Sequence, residues 1–289
     1  MPSTIDIRRR IRSVKNTQQI TKAMKMVAAA KLRRAQERIY AARPYSGGLM
    51  EVLQSVVSRV DPARHPLLAP REDEKNVLIV VVTSDKGLAG AFNANVLKAA
   101  TNLIREKQGQ NVELLPIGRK ANDFFKRRSI PIRPQAAHVM QALSLDTAKV
   151  IADSIVTGYL KGEIDAVYVV FNEFRSIMSQ IVRIEKLLPI EALQKKNEQK
   201  PENQVEFLFE PGPEQILSEL LPKHIEFQLY RILLESAAAE QCARMTAMEA
   251  ATKNAADMIE ALTLNYNRIR QAAITKEIIE IVSGAQVQK

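Results

Sequence analysis

The sequence is 289 residues long and 46% hydrophobic, which is enough apolar material for one or two domains with their own cores. No apolar run approaches the 18 residues of a membrane-spanning helix, and a single cysteine excludes a disulfide within the chain. The formal net charge of +10 lies in residues 1–45, which hold 12 basic residues against two acidic ones, while the other 244 residues hold 30 of each. This charge indicates either a solvated helix face or a large acidic partner, nucleic acid or protein.

The first predicted element is a long N-terminal helix. Residues 3–43 contain no glycine or proline, and their apolar and small residues recur in steps of three and four. An Arg-rich start can resemble a mitochondrial presequence, but the rhythm continues to Arg43, so we expect a structural helix. Pro44 is expected to kink or break it, after which helical character resumes over 49–60. Prolines then mark a linker over 61–75.

The middle of the chain predicts an α/β domain over 76–204. Residues 77–83 read VLIVVVT, a continuous β-branched run typical of a strand buried on both faces. The order β-α-β-α-β-α-β-β that follows predicts a Rossmann-like fold with a mainly parallel sheet and an antiparallel edge. The further strands are expected at 112–117, near 130, at 166–171 and at 177–187, with helices at 94–107, 119–128 and 146–160. A polar loop is expected at 191–204, and an extended piece at 205–215.

The turn after the first strand raises the question of a nucleotide site. Gly87 and Gly90 in SDKGLAGAFN, residues 84–93, give only G-x-x-G, without the patterns that cradle phosphates, so a tight strand–helix turn is the default. A nucleotide-dependent enzyme built on residues 77–107 is therefore disfavoured. The three histidines are scattered, and Asp85 beside Lys86 does not make a mechanism. We expect no catalytic, cofactor or metal site.

The last predicted element is a second long helix, within a C-terminal segment over 205–289. Residues 223–283 contain no glycine or proline and are rich in alanine. Such a helix would span roughly 90 Å, so it needs a partner along its length or a tunnel. Its apolar rhythm is similar to that of the N-terminal helix (1–60), so we predict an antiparallel two-helix coiled coil. The tip over 274–282 is apolar on more than one face, which favours burial in a socket; a frayed or oligomerising tail is the alternative.

Three segments resemble the gamma subunit of the bacterial F-type ATP synthase, the central stalk of that rotary machine. They are IRSVKNTQQITKAMKMVAAAKL at 11–32, SDKGLAGAFN at 84–93, and ESAAAEQCARMTAMEAATKNAADMIEALTLNYNRIRQAAITKEIIEIVSGA at 235–285. The resemblance implies a left-handed coiled coil inside a hexamer of alpha and beta subunits. It also implies that the α/β domain lies near the membrane, against the epsilon subunit and the ring of c subunits (the c-ring).

The resemblance also implies a function and contact residues. The chain would be a rotor shaft, without an active site of its own, that couples ion-driven rotation of the c-ring to conformational cycling of the beta-subunit catalytic sites. It would be peripheral, at the cytoplasmic face of the inner membrane. Contact with beta is implied for Arg8, Arg9, Arg12, Met24, Lys25, Arg270, Gln271 and Thr275; an apolar collar of the hexamer would take Ile278, Ile279, Ile281 and Val282; Phe207, Phe209 and Glu210 would touch the c-ring or epsilon.

The sequence departs from the family pattern at two places, and a nucleic-acid-binding function competes with the rotor hypothesis. The family turn often reads Cys-Gly-Gly where this chain has Ala89, Gly90 and Ala91. The middle domain also lacks the cysteine pair of the chloroplast relatives, so their thiol switch is not expected. The competing hypothesis is a nucleic-acid binder that uses the basic helix. The sequence disfavours it, because aromatics are only 5% of the chain and no reading motif is present.

Overall fold

The structure is a computed structural model that describes residues 4–57, 60–61, 65–69, 71, 73–134, 139–140, 143–176, 179–190 and 212–287, without the side chains of 43, 46 and 284–287. The chain divides into two compact units, Met1–Ala29 with Arg244–Lys289, and Ala30–Ala243. None of the described helices is long and apolar enough to cross a membrane. The elements are α1 Thr4–Val57, β1 Asn76–Val82, α2 Phe92–Glu106, β2 Asn111–Ile117, α3 Arg119–Phe125, α4 Leu145–Leu160, β3 Ala166–Ser176, β4 Ser179–Leu188 and α5 Pro213–Val287.

The helix α1 runs without a break through Pro44, so the predicted break is wrong, while the kink expected as its alternative stays a prediction. A proline inside a helix removes one backbone hydrogen bond and crowds the preceding turn, which costs about 3 kcal/mol. Packing on both sides of the next turns offsets this cost. The Tyr45 ring lies 4.6 Å from the Phe227 ring of α5, and Leu49 and Leu53 are buried in the core of the larger unit.

The helix α5 also begins earlier than the glycine- and proline-free run indicates. It starts at Pro213 and contains Pro222, whereas the sequence pattern places the helix from Lys223. The first helical turn tolerates proline because its N–H groups have no partner in the helix. Leu217 and Leu221 are buried, so apolar packing again supports the helix across Pro222.

The sheet has the order β2-β1-β3-β4. β1 pairs in parallel with β2 and with β3, and β3 pairs antiparallel with β4. The mainly parallel sheet with an antiparallel edge is thus confirmed. The strand expected near residue 130 is reduced to a single parallel bridge between Leu114 and Ile132.

Both faces of the sheet are covered, as the β-branched run of β1 predicts. Leu78, Val80 and Val82 contribute to a core with the end of α1, with α4 and with the first part of α5. Val77, Ile79 and Val81 contribute to a second core with α2 and α3. The larger unit therefore has one layer of helices on each side of its sheet.

The segment between α1 and β1, predicted as a linker, is fastened to the sheet at the beginning of β1. Arg71 forms an ion pair with Asp165, donates to the carbonyl of Tyr159 at 2.7 Å, and covers the Tyr159 ring at 4.4 Å. The Glu74 carboxylate accepts from Lys107 at 2.7 Å and from Tyr168 at 3.0 Å. These contacts hold the described part of the connection against the body of the larger unit.

Candidate functional site

The smaller unit pairs α1 with α5 in one constant antiparallel register. Arg8 Nη2 donates to the Tyr266 hydroxyl at 2.6 Å, and Lys25 Nζ lies 2.6 Å from Glu249 Oε1. Between these two contacts α1 advances by 17 residues while α5 retreats by 17. A hydrogen bond of 2.8 Å between Thr21 Oγ1 and Thr252 Oγ1 fits the same register to within one residue. The predicted antiparallel pair is thus confirmed.

The seam between the two helices follows a heptad spacing with small residues. Its buried members on α1 are Ile7, Thr21 and Ala28, separated by multiples of seven. On α5 the buried members are Met248 and Ala255, again seven apart. A repeat of 3.5 residues per turn is typical of a left-handed coiled coil. Alanine and threonine at these positions let the backbones approach closely, and the polar Thr21–Thr252 contact specifies the register.

The basic residues predicted to contact a partner divide into two groups. Arg8 and Lys25 face α5: Arg8 also lies 5.5 Å from the centre of the Tyr266 ring, and Lys25 is paired with Glu249. Arg9 and Arg12 are exposed and form no ion pair with any described residue. Met24 is half-buried. Only part of the predicted set is therefore free to meet another protein without breaking an existing contact.

The predicted contacts near the end of α5 are uncovered. Arg270, Gln271 and Thr275 are exposed, and Thr275 donates its hydroxyl proton to the Gln271 carbonyl at 2.9 Å. The apolar tip comprises Ile274, Ile278, Ile279, Ile281 and Val282, whose exposure runs from 47% to 70%. The register places Thr4, the first described residue of α1, opposite Arg270. The residues of α5 after Arg270 thus have no described α1 residue opposite them.

Phe207, Phe209, Glu210 and the loop 191–204 lie outside the described residues. The c-ring and epsilon contacts that the sequence predicts for the three residues stay predictions.

Hydrogen bonds join the turn after β1 to the starts of α2 and α3. The amide of Ser84 donates to Asn93 Oδ1 at 3.0 Å, and that of Arg119 donates to Asp85 Oδ1 at 3.0 Å. The amide of Ala121 donates to Thr83 Oγ1 at 2.8 Å. Arg119 and Ala121 lie at the start of α3, whereas the start of α2, the helix that follows the turn, has no side-chain cap.

The backbone of this turn lies very close to the backbone of the residue that follows β2. Gly118 has φ +89°, and a Cβ atom there would lie 2.1 Å from the Thr83 carbonyl oxygen. Only glycine fits this position without a shift of backbone. The turn is therefore a packed structural junction. Among the described residues no group of three or more His, Cys, Asp or Glu side chains is placed to hold a metal ion.

Comparison with known proteins identifies the family. The family model described as ATP synthase matches residues 3–287. The ATP synthase gamma chain of Chlorobaculum tepidum is 50% identical over 294 residues and covers 100% of both chains. Those of Solibacter usitatus and Geobacter metallireducens are 52% and 51% identical, each over 99% of both chains. The chain belongs to the ATP synthase gamma-chain family.

Solved structures agree with this membership in the gamma-chain family. A central stalk and c-ring structure of the mitochondrial ATP synthase of Tetrahymena thermophila matches with a TM-score of 0.57 and 27% identity, covering 80% of this chain and 99% of that one. An ATP synthase structure from Euglena gracilis, described as OSCP/F1/c-ring, matches with a TM-score of 0.68 and 20% identity, covering 99% and 94%. The second likeness shows the fold alone.

Sequence reasoning missed one cluster in this gamma-chain fold. Arg231 of α5 donates to Glu185 of β4 at 2.6 Å and to Glu235 at 3.0 Å. The spacing of four residues between Arg231 and Glu235 is visible in the sequence as a helical ion pair. Glu185 is 46 residues away from Arg231, and no local pattern brings the two together.

Proposed function

We propose that this chain is the central rotor of an F-type ATP synthase, which couples ion-driven rotation of the c-ring to conformational cycling of the beta-subunit catalytic sites. The observation that carries the proposal is the constant antiparallel register from Arg8–Tyr266 to Lys25–Glu249, followed by an uncovered stretch of α5. Two helices joined in one register along this length can turn together. The family membership supplies the machine in which such a pair turns.

The mechanism is mechanical. A rotor changes the state of a catalytic subunit only through contacts that differ between the alternative conformations of that subunit. The pair is asymmetric, because α1 presents many arginine side chains and α5 is rich in alanine. Each rotary position therefore offers a different surface to each of three beta subunits. The chain itself supplies no catalytic group in this scheme.

Contacts with beta follow from the exposed charges. Arg9 and Arg12 are free to meet acidic segments of beta, whereas Arg8 and Lys25 would have to exchange their contacts with α5. A second, polar contact with beta is formed nearer the C-terminal end of α5 by Arg270, Gln271 and Thr275. One exposed ion pair contributes about 0–1 kcal/mol, so many such contacts must act together.

The apolar tip supports a socket in the hexamer. Ile278, Ile279, Ile281 and Val282 are all more than half exposed in the chain alone. Burying such a side chain fully contributes about 1.5–3 kcal/mol. A ring of apolar residues from alpha and beta would cover this surface and also let the tip turn, because apolar contact is not directional.

The larger unit is proposed to lie toward the membrane and to meet the epsilon subunit and the c-ring through Phe207, Phe209 and Glu210. The chain is accordingly peripheral, at the cytoplasmic face of the inner membrane. Its association with the membrane would come through these subunits.

The experiment that tests the function is assembly of the complex, followed by an assay of ATP hydrolysis. The chain is mixed with alpha and beta subunits and passed through a gel-filtration column, and we expect one large complex that hydrolyses ATP. Mixing with duplex DNA at rising salt is the control, because a nucleic-acid binder would show a steep salt dependence. Elution apart from alpha and beta, together with salt-dependent DNA binding, would contradict the rotor function.

A further inference from the structure

The β3–β4 hairpin extends beyond the four-stranded sheet. The pairing of β3 with β1 ends at Val170, whereas its pairing with β4 continues to Ser176 and Ser179. Residues 171–176 and 179–183 thus form a two-stranded extension, which we call the hairpin arm. A two-stranded ribbon alone is marginally stable in water, so the hairpin arm needs support from another element.

The helix α5 provides this support through small residues. Phe174 of the hairpin arm and Ala243 of α5 pack against one buried apolar cluster, which Ala239 of α5 forms with Ala89 and Phe92 at the β1–α2 turn. The alanines have only a methyl group, so the phenyl rings and the helix backbone can approach closely. Ala239 is fully buried as a result.

Two polar contacts continue the same attachment. Gln180 Nε2 of the hairpin arm donates to Cys242 Sγ of α5 at 3.2 Å. The buried side-chain amide of Asn172 donates through Nδ2 to the Phe92 carbonyl at 3.2 Å. This bond also joins the hairpin arm to the β1–α2 turn. At the root of the arm, Arg231 of α5 bridges to Glu185 of β4.

These contacts lengthen the stretch of α5 that the larger unit holds. The main core covers α5 as far as Leu233. The hairpin arm and the turn extend the attachment to Ala243, which is about 15 Å further along the helix. Ala243 is also the last α5 residue of the larger unit before α5 continues into the smaller one.

We propose that the hairpin arm, together with the β1–α2 turn, is the element that passes rotation of the larger unit to α5. Phe174 is its main positioning residue, because it packs against the apolar cluster that contains Ala239 of α5. The inference rests on the proposed rotor function and adds the place where the rotary force enters the C-terminal helix. A rotor held only as far as Leu233 would twist more between its two units under the same load.

The test measures how tightly α5 is held inside an assembled complex. A probe is attached through Lys126→Cys, an exposed position of the larger unit, since the native Cys242 is fully buried and unreactive. The hexamer is fixed to a surface and stalled with a non-hydrolysable nucleotide, and the angular spread of the probe is recorded. Phe174→Ala should broaden this spread and lower the ions pumped per ATP hydrolysed.

Two matched variants separate a positioning role from general damage. Phe174→Leu keeps an apolar side chain against the cluster that contains Ala239 and should restore the narrow spread. Glu173→Gln breaks ion pairs with Arg175 and Arg183 that lie inside the hairpin arm, so it should leave the spread unchanged.

The outcomes distinguish the role of the hairpin arm from the rotor function. An unchanged spread in a fully assembled Phe174→Ala complex would overturn the role of the hairpin arm while leaving the rotor function intact. Equal broadening by Glu173→Gln would overturn it as well, because the effect would then not depend on contact with α5. A wild-type complex whose probe never turns with ATP would instead contradict the rotor function.

Discussion

Lys25 Nζ lies 2.6 Å from Glu249 Oε1 across the α1–α5 pair, yet the two side chains are 38% and 61% exposed. An ion pair this open to water contributes little, because screening and side-chain entropy offset most of the attraction. The contact therefore marks the register of the two helices more than it holds them together. Stability of the pair comes from the buried seam.

Substitutions at the ion pair and in the seam should differ in size. Lys25→Ala should lower the free energy of unfolding by no more than about 1 kcal/mol. Ala28→Leu, in the buried seam, should cost about 1–3 kcal/mol, because no space exists for a larger side chain between the backbones. Urea unfolding of the full chain, followed by circular dichroism, measures both. A larger loss for Lys25→Ala than for Ala28→Leu would contradict this ranking.

The Thr21–Thr252 contact offers a covalent test of the pair. The two hydroxyl oxygens are 2.8 Å apart, so Thr21→Cys with Thr252→Cys should form a disulfide on oxidation. Since the two helices are proposed to turn as one body, the oxidised complex should hydrolyse ATP and pump ions as the reduced one does. The two single variants, which cannot form this bond, are the controls. Inhibition on oxidation that reductant reverses, seen only in the double variant, would show that α1 and α5 move past each other.

The basic face of α1 should act collectively. Changing Arg9, Arg12, Lys15 and Lys22 together to Gln should impair coupling, whereas each single change should be tolerated, because each pair contributes about 0–1 kcal/mol. ATP synthesis in reconstituted vesicles measures this. The matched control changes four exposed bases of the larger unit, Lys98, Arg105, Lys126 and Arg127. Unchanged synthesis by the α1 variant, or an equal loss in the control, would count against the charge argument.

The Glu74 cluster should make stability depend on pH. Burial by itself would raise the pKa of Glu74, but hydrogen bonds from Lys107, Lys186 and Tyr168 outweigh it and lower the pKa to about 2. The carboxylate therefore stabilises the fold fully above its ordinary pKa of 4.5, and this contribution is lost as pH falls from 4.5 toward 2.

Glu74→Gln is the variant that tests this dependence. It should destabilise the chain by about 1–3 kcal/mol at pH 7, and the difference from wild type should shrink below pH 4.5. Urea unfolding at pH 7, 5 and 3 measures the difference. Asp73→Asn is the control, because the pair that Asp73 forms with a described residue, Lys75, is exposed. A difference that stays constant between pH 7 and 3 would show that the cluster does not stabilise the carboxylate.

The fold was predictable where a local pattern has one structural solution. The β-branched run at 77–83 requires two covered faces, and β1 has them. The long terminal runs without glycine or proline could not be single globular helices, and they pair. Pro44 misled because its local cost is known from sequence, whereas the compensating contact of Tyr45 with Phe227 joins residues 182 positions apart.

The site was less predictable than the fold. Sequence resemblance supplied Arg8 and Lys25 as partner contacts, but their geometry engages them with Tyr266 and Glu249. The hairpin arm gave no signal beyond a longer strand, because the strand prediction ended at Phe171 while β3 continues to Ser176. Its importance lies in the apolar cluster that it shares with Ala239 and Ala243, and such packing between distant segments follows only from the folded chain.

The most direct measurement of the central claim is rotation of a probe on this chain in a complex with alpha and beta subunits. The hexamer is fixed to a surface, the probe is attached through Lys126→Cys, and ATP is added. The account predicts sustained turning in one direction that stops when ATP is removed. Hydrolysis of ATP by complexes that contain the chain, with the probe stationary or only fluctuating about one angle, would contradict it.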